Sequence, residues 1–158
     1  MSCKTRREFL LEGGCGLFTI AALGLSIDAT ALPVSMVEGE GSRSERSYPI
    51  PATDGVNVDR DAQVILVRYQ NKVFAMALAC PHENAAVRWL PKDQRFQCTK
   101  HDSKYTPQGA YMSGRATRNL DRFAIRRDEG SVIVTMDRVY QSDREPDAWS
   151  GAAADVSA

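Results

Sequence analysis

The sequence predicts an all-β fold, a small antiparallel β-sandwich or barrel. Three observations carry this. After residue 31 no stretch repeats its apolar residues with the 3.6-residue period of an amphipathic helix. The apolar runs are instead short and rich in β-branched or aromatic residues, as in "AQVILVRYQ" (62–70) and "SVIVTM" (131–136). Turn-forming clusters separate them at intervals of roughly eight to twelve residues. With 158 residues, 43% of them hydrophobic, the chain has the size of one domain with appendages and enough apolar surface for a core.

The N-terminus stands apart. "SCKTRREFLLEGGCGLFTIAALGLSIDATA" (2–31) starts basic, continues apolar and glycine-rich, and ends on the small-x-small site Ala29-Thr30-Ala31. Thr5-Arg6-Arg7-Glu8-Phe9-Leu10 resembles the twin-arginine export signal, a route for proteins already folded. Residues 1–31 are therefore expected to be such a signal, cleaved before Leu32, or a retained membrane anchor. The apolar run is short of the roughly 20 residues needed to span a bilayer, which favours cleavage slightly. Residues 32–47, polar with Gly, Ser and charges, are expected to be a linker.

A folded domain is expected over 48–138. "AQVILVRYQ" and "KVFAMALA" (72–79) flank Gln70-Asn71-Lys72 and form a first hairpin. "AVRWL" and "RFQC" flank the turn Pro91-Lys92-Asp93. "KYTPQGAYMSG" places Pro107-Gln108-Gly109 between two short strands. "RFAIRR" and "SVIVTM" surround Asp128-Glu129-Gly130 as a third hairpin. The tail, 139–158, holds few large apolar residues besides Trp149 and is expected to be flexible or draped on the surface.

The chemistry concentrates in one stretch. Both histidines of the chain, and two of its four cysteines, fall in Cys80-x-His82 and Cys98-x-x-His101, fifteen residues apart. Each pair follows an expected strand, so two loops at one end of the fold could share a site. Singly, a buried cysteine or a loop histidine is ordinary. Two Cys–His pairs that use every histidine point to a metal. Zinc accepts such a set, though its usual spacings pair like with like. One Cys and one His per loop suit a binuclear cluster in which one iron takes both thiolates and the other both imidazoles.

On these boxes, Cys80-Pro81-His82 and Cys98-Thr99-Lys100-His101, the sequence resembles the Rieske iron–sulfur family over roughly 60 to 137. The resemblance implies one [2Fe–2S] cluster held by two loops at one tip of a small antiparallel β-sandwich. It implies that Cys80 and Cys98 bind the inner iron, and His82 and His101 the outer one. Members from quinol-oxidising cytochrome bc complexes join an extra cysteine in each box as a disulfide; Ala85 and Lys100 stand there, so that bridge is absent. Ser103 and Tyr105 match the hydroxyls that hydrogen-bond the cluster sulfurs in those members. Their Gly-Pro cover loop corresponds to Ser113-Gly114-Arg115-Ala116, without proline.

Much is excluded. Lys+Arg and Asp+Glu number 20 each, so no charge excess points to nucleic acid. With both histidines committed, neither a second two-histidine iron centre nor a Ser-His-Asp hydrolase can be built. "EGGCG" lies in the N-terminal segment, outside any strand–turn–helix context for a phosphate loop. The expected protein carries electrons and does not transform a substrate. Its partner would be a cytochrome or a larger oxidoreductase subunit, with quinol as a further candidate. Its place would be the bacterial periplasm, free or anchored to the inner membrane's outer face.

Overall fold

Val64-Ile65-Leu66-Val67 contains no polar residue, so a strand made from it must be covered on both faces. The computed structural model describes residues 32, 34–37, 39 and 44–157, and there all four side chains are buried. The export-signal reading of 1–31, with Cys3 and Cys15, lies outside the described residues.

Twelve strands, one short α-helix and one 3-10 turn (Pro91–Asp93) are described: β1 (Val34–Met36), β2 (Glu45–Pro49), β3 (Gly55–Asp59), β4 (Val64–Tyr69), β5 (Lys72–Ala77), β6 (Val87–Leu90), β7 (Arg95–Cys98), β8 (Lys104–Tyr105), β9 (Tyr111–Ser113), β10 (Arg122–Asp128), β11 (Ser131–Tyr140), α1 (Pro146–Gly151) and β12 (Ala154–Asp155). They form two sheets. The larger has the order β1-β3-β4-β5-β10-β11-β2, with β12 also paired to β5; the smaller has the order β6-β7-β8-β9. The all-β expectation holds, and each hairpin read from the sequence is present.

β4 and β5 divide the interior. Ile65, Val67, Phe74 and Met76 face one core, together with Trp89, Phe96 and Tyr105 of the small sheet. Val64, Leu66, Val73 and Ala75 face the other, with Tyr48, Phe123, Val132 and Val134. The β4–β5 turn is tight because Gln70 and Asn71 both take positive φ, 51° and 61°, the pattern of a type I′ turn. The small sheet is an insertion: the chain leaves the large sheet after Ala77 and rejoins it at Arg122.

Two expectations need correction, and the large sheet includes one parallel pair. The stretch read as a linker carries β1 and β2; β2 pairs β11 and puts Tyr48 wholly inside. β1 runs parallel to β3, so the large sheet is not purely antiparallel. The stretch read as a surface tail completes the fold. β10 pairs with β5 at Arg122–Met76, and β12 pairs with Val73 and Lys72 further along the same strand. An uncovered stretch of strand edge is a pairing template, and here the chain's own end fills it.

Near the start of the fold, Asp59 is buried and gathers several donors. Burial works against its charge, yet bonds from Ala62 N, Tyr48 Oη and Gly39 N, with Arg46 at 3.4 Å, outweigh that and lower its pKa.

Candidate metal centre

Cys80 lies just past β5, in a loop folded on itself: its N–H donates to Ala85 O (2.7 Å) and its carbonyl accepts from Asn84 N (2.8 Å). Asn84 supplies the positive φ that this closure needs. Cys98 ends β7, and its N–H donates to Ser103 O (2.9 Å), which closes the second loop. The two loops are tied across by Thr99, whose N–H and Oγ1 both donate to Ala86 O, at 2.9 and 2.8 Å.

The geometry separates the donors by depth. Cys80 is wholly buried and Cys98 is 2% exposed, and both are free thiols. The imidazoles sit at the rim, His82 with 26% of its side chain exposed and His101 with 15%. Their Nδ1 atoms lie 3.3 Å apart, with the rings nearly perpendicular. Two nitrogens that close, on different loops, are arranged to face one acceptor of lone pairs.

One hydroxyl reaches a thiol directly, and a second stands behind it. Tyr105 Oη lies 3.1 Å from Cys80 Sγ. Burial, then the contact with Cys80, pushes the tyrosine pKa up, so the phenol keeps its proton and donates to a Cys80 thiolate. Ser103 is also wholly buried, and its Oγ accepts from Arg115 N (3.1 Å) and Ala116 N (3.0 Å). The serine thus fastens the loop over the site, a role its sequence position did not reveal. Gly114 lets that loop approach: its φ is +111°, and a Cβ there would meet Ser103 Cα at 2.4 Å.

Glu83 was missed by the sequence reading, although it stands beside His82 in the first box. With His82 and His101 it offers three ligand atoms within 4.8 Å of one another. Lys100, Asp102 and Arg115 border a cleft against His101, and all three are exposed. The rim around the imidazoles is therefore charged.

Two buried thiols and two paired imidazoles, on adjacent loops of a β fold, offer a metal ion or cluster a mixed set of sulfur and nitrogen donors. The comparisons with known proteins agree. Residues 46–124 match the Rieske [2Fe-2S] domain, and the chain belongs to that family. It is 26% identical over 76 residues to the cytochrome b6-f complex iron-sulfur subunit of Chlorobaculum tepidum, covering 48% of this chain and 42% of that protein. It is 27% identical over 104 residues to cytochrome b6-f complex iron-sulfur subunit 2 of Trichormus variabilis, covering 56% and 58%. Among solved structures, the plasma membrane Rieske protein PetC3 from Synechocystis matches at 20% identity and a TM-score of 0.42, covering 58% of this chain and 86% of that one. The chain spans about half the length of these curated relatives.

Membership in the family implies a [2Fe–2S] cluster, and the donor set fits one: soft buried sulfurs inside, imidazole nitrogens at the rim. Bound there, the cluster supplies a one-electron couple, at roughly −150 to +300 mV across the family.

Proposed function

We propose that the chain carries single electrons, with Cys80 and Cys98 on the inner iron and His82 and His101 on the outer one. The 3.3 Å separation of the two Nδ1 atoms above two buried thiols carries this reading. Tyr105 and Ser103 stabilise the electron-rich state by donating toward sulfur. A one-electron carrier works with a redox partner, and the partner proposed is a cytochrome or a larger oxidoreductase subunit.

The setting proposed first is an exported redox protein, or the small subunit of a periplasmic oxidoreductase, delivered by the twin-arginine-like segment 1–31. The charged rim of Glu83, Lys100, Asp102 and Arg115 favours it, because an apolar quinol ring would meet charge there. The second is the iron–sulfur subunit of a cytochrome bc-type complex, which the names of the relatives favour. Among the described residues no helix is long and apolar enough to cross a membrane. Affinity capture of the full chain from detergent-solubilised membranes separates the two. A co-purifying cytochrome b supports the second; a soluble chain whose N-terminal residue is Leu32 supports the first.

Electron paramagnetic resonance of the dithionite-reduced protein, with iron and sulfide analysis, tests the common core. Two irons and two sulfides per chain are expected, with a rhombic signal whose average g lies below that of an all-thiolate ferredoxin. A colourless protein with one zinc, or one iron and no sulfide on His82, Glu83 and His101, would overturn it.

A further inference from the structure

Glu83 makes contacts that electron transfer as described above does not use. Its Oε1 lies 4.0 Å from His82 Nδ1, and its Oε2 lies 3.6 Å from His101 Nε2. One carboxylate thus touches both imidazoles. The same Oε2 lies 3.8 Å from Lys100 Nζ, on the opposite loop. Glu83 is 48% exposed and Lys100 68%, so water screens the lysine more. Asp102, the neighbouring carboxylate, instead takes a bond from Gln97 Nε2 at 3.3 Å and makes no ion pair with either imidazole.

We infer that Glu83 sets the reduction potential of the centre, with Lys100 as its partial counterweight. The inference rests on the Rieske reading of the four ligands. A carboxylate is anionic at neutral pH. Placed against both outer imidazoles, its charge favours the oxidised state, which holds one electron fewer, and lowers the midpoint. The ammonium of Lys100 acts with the opposite sign from the far side of the same carboxylate. The two charges also bridge the loops, but a merely structural clasp predicts no sign: breaking it from either end would do the same thing. Potential-setting predicts shifts of opposite direction.

The test is a redox titration of the cluster-loaded protein at neutral pH, followed by its visible spectrum, in low and high salt. Glu83→Gln is expected to raise the midpoint by about tenfold in the reduction equilibrium, ~59 mV for one electron, less in high salt. Glu83→Asp should keep most of the wild-type value. Lys100→Gln should lower the midpoint. Asp102→Asn, which removes the same charge nearby without touching a ring, should move it less than Glu83→Gln. A loaded Glu83→Gln protein that titrates like wild type, or no higher than Asp102→Asn, overturns the inference. So does a shift of the same direction in Glu83→Gln and Lys100→Gln. A wild-type chain with no cluster signal overturns the electron-transfer reading itself, and this inference falls with it.

Discussion

Ser103 and Tyr105 differ in what their hydroxyls already hold. Tyr105 Oη has Cys80 Sγ as its neighbour, and its ring is wholly buried. Tyr105→Phe removes one donor to sulfur and also the hydroxyl that the buried Ser103 hydrogen-bonds. It should lower the midpoint and cost less stability than Ser103→Ala, because no backbone N–H loses its acceptor. Ser103 Oγ satisfies two backbone donors as well, Arg115 N and Ala116 N. Ser103→Ala should lower the midpoint and also cost about 1–3 kcal/mol, because those N–H groups lose their acceptor. Redox titration and thermal unfolding of the two variants and the double variant check this. An unmoved midpoint in the double variant would remove both residues from the tuning of the centre.

At the scale of elements, Arg122 explains why the C-terminal segment is ordered. It opens β10, is 4% exposed, and has no carboxylate within ion-pair distance among the described residues. Burial pushes its pKa down to about 10. Its charge is held by other means. The guanidinium carbon lies 4.6 Å from the Phe74 ring and 3.8 Å from that of Trp149, and its nitrogens donate to Trp149 O (2.8 Å) and Gln108 O (2.7 Å). Trp149 Nε1 donates in turn to Leu120 O at 2.7 Å. One arginine therefore joins β5, α1 and the β8–β9 turn. Trp149→Ala should destabilise the fold by about 1–3 kcal/mol through the lost ring face and hydrogen bond. Denaturant unfolding measures it, and an unchanged midpoint would make the segment a passive cover.

At the scale of the molecule, the two sheets have unequal dependence on the centre. Both binding loops belong to the insertion between β5 and β10, and that insertion contains the whole small sheet. The large sheet closes its own core around Tyr48, Leu66 and Val134 without it. Binding energy delivered to the loops is folding energy for whatever they hold together. Amide hydrogen exchange of cluster-loaded and cluster-free protein should thus differ mainly over residues 80–116, with β4, β10 and β11 little changed. Uniform loss of protection would mean that the two sheets fold as one unit.

The sequence by itself determined the fold class and the hairpins, and it singled out the four candidate donors. These are local properties: strand runs, turn residues and two short boxes can each be read without knowing what packs against them. Only the tertiary structure decided the rest. Val34 to Met36 and Glu45 to Pro49 lack a clear apolar pattern; they become strands because β3 and β11 offer them free edges. Ala154 and Asp155 pair because β10 meets β5 at Met76 and leaves the edge at Val73 and Lys72 open. Glu83 has no part in the sequence reading, and Ser103 reads there as a donor to the cluster sulfurs and not as the fastener of the loop above them. Their partners, His101 and Ala116, are set by how the loops fold over one another, and strand and turn patterns in a sequence do not encode that distance.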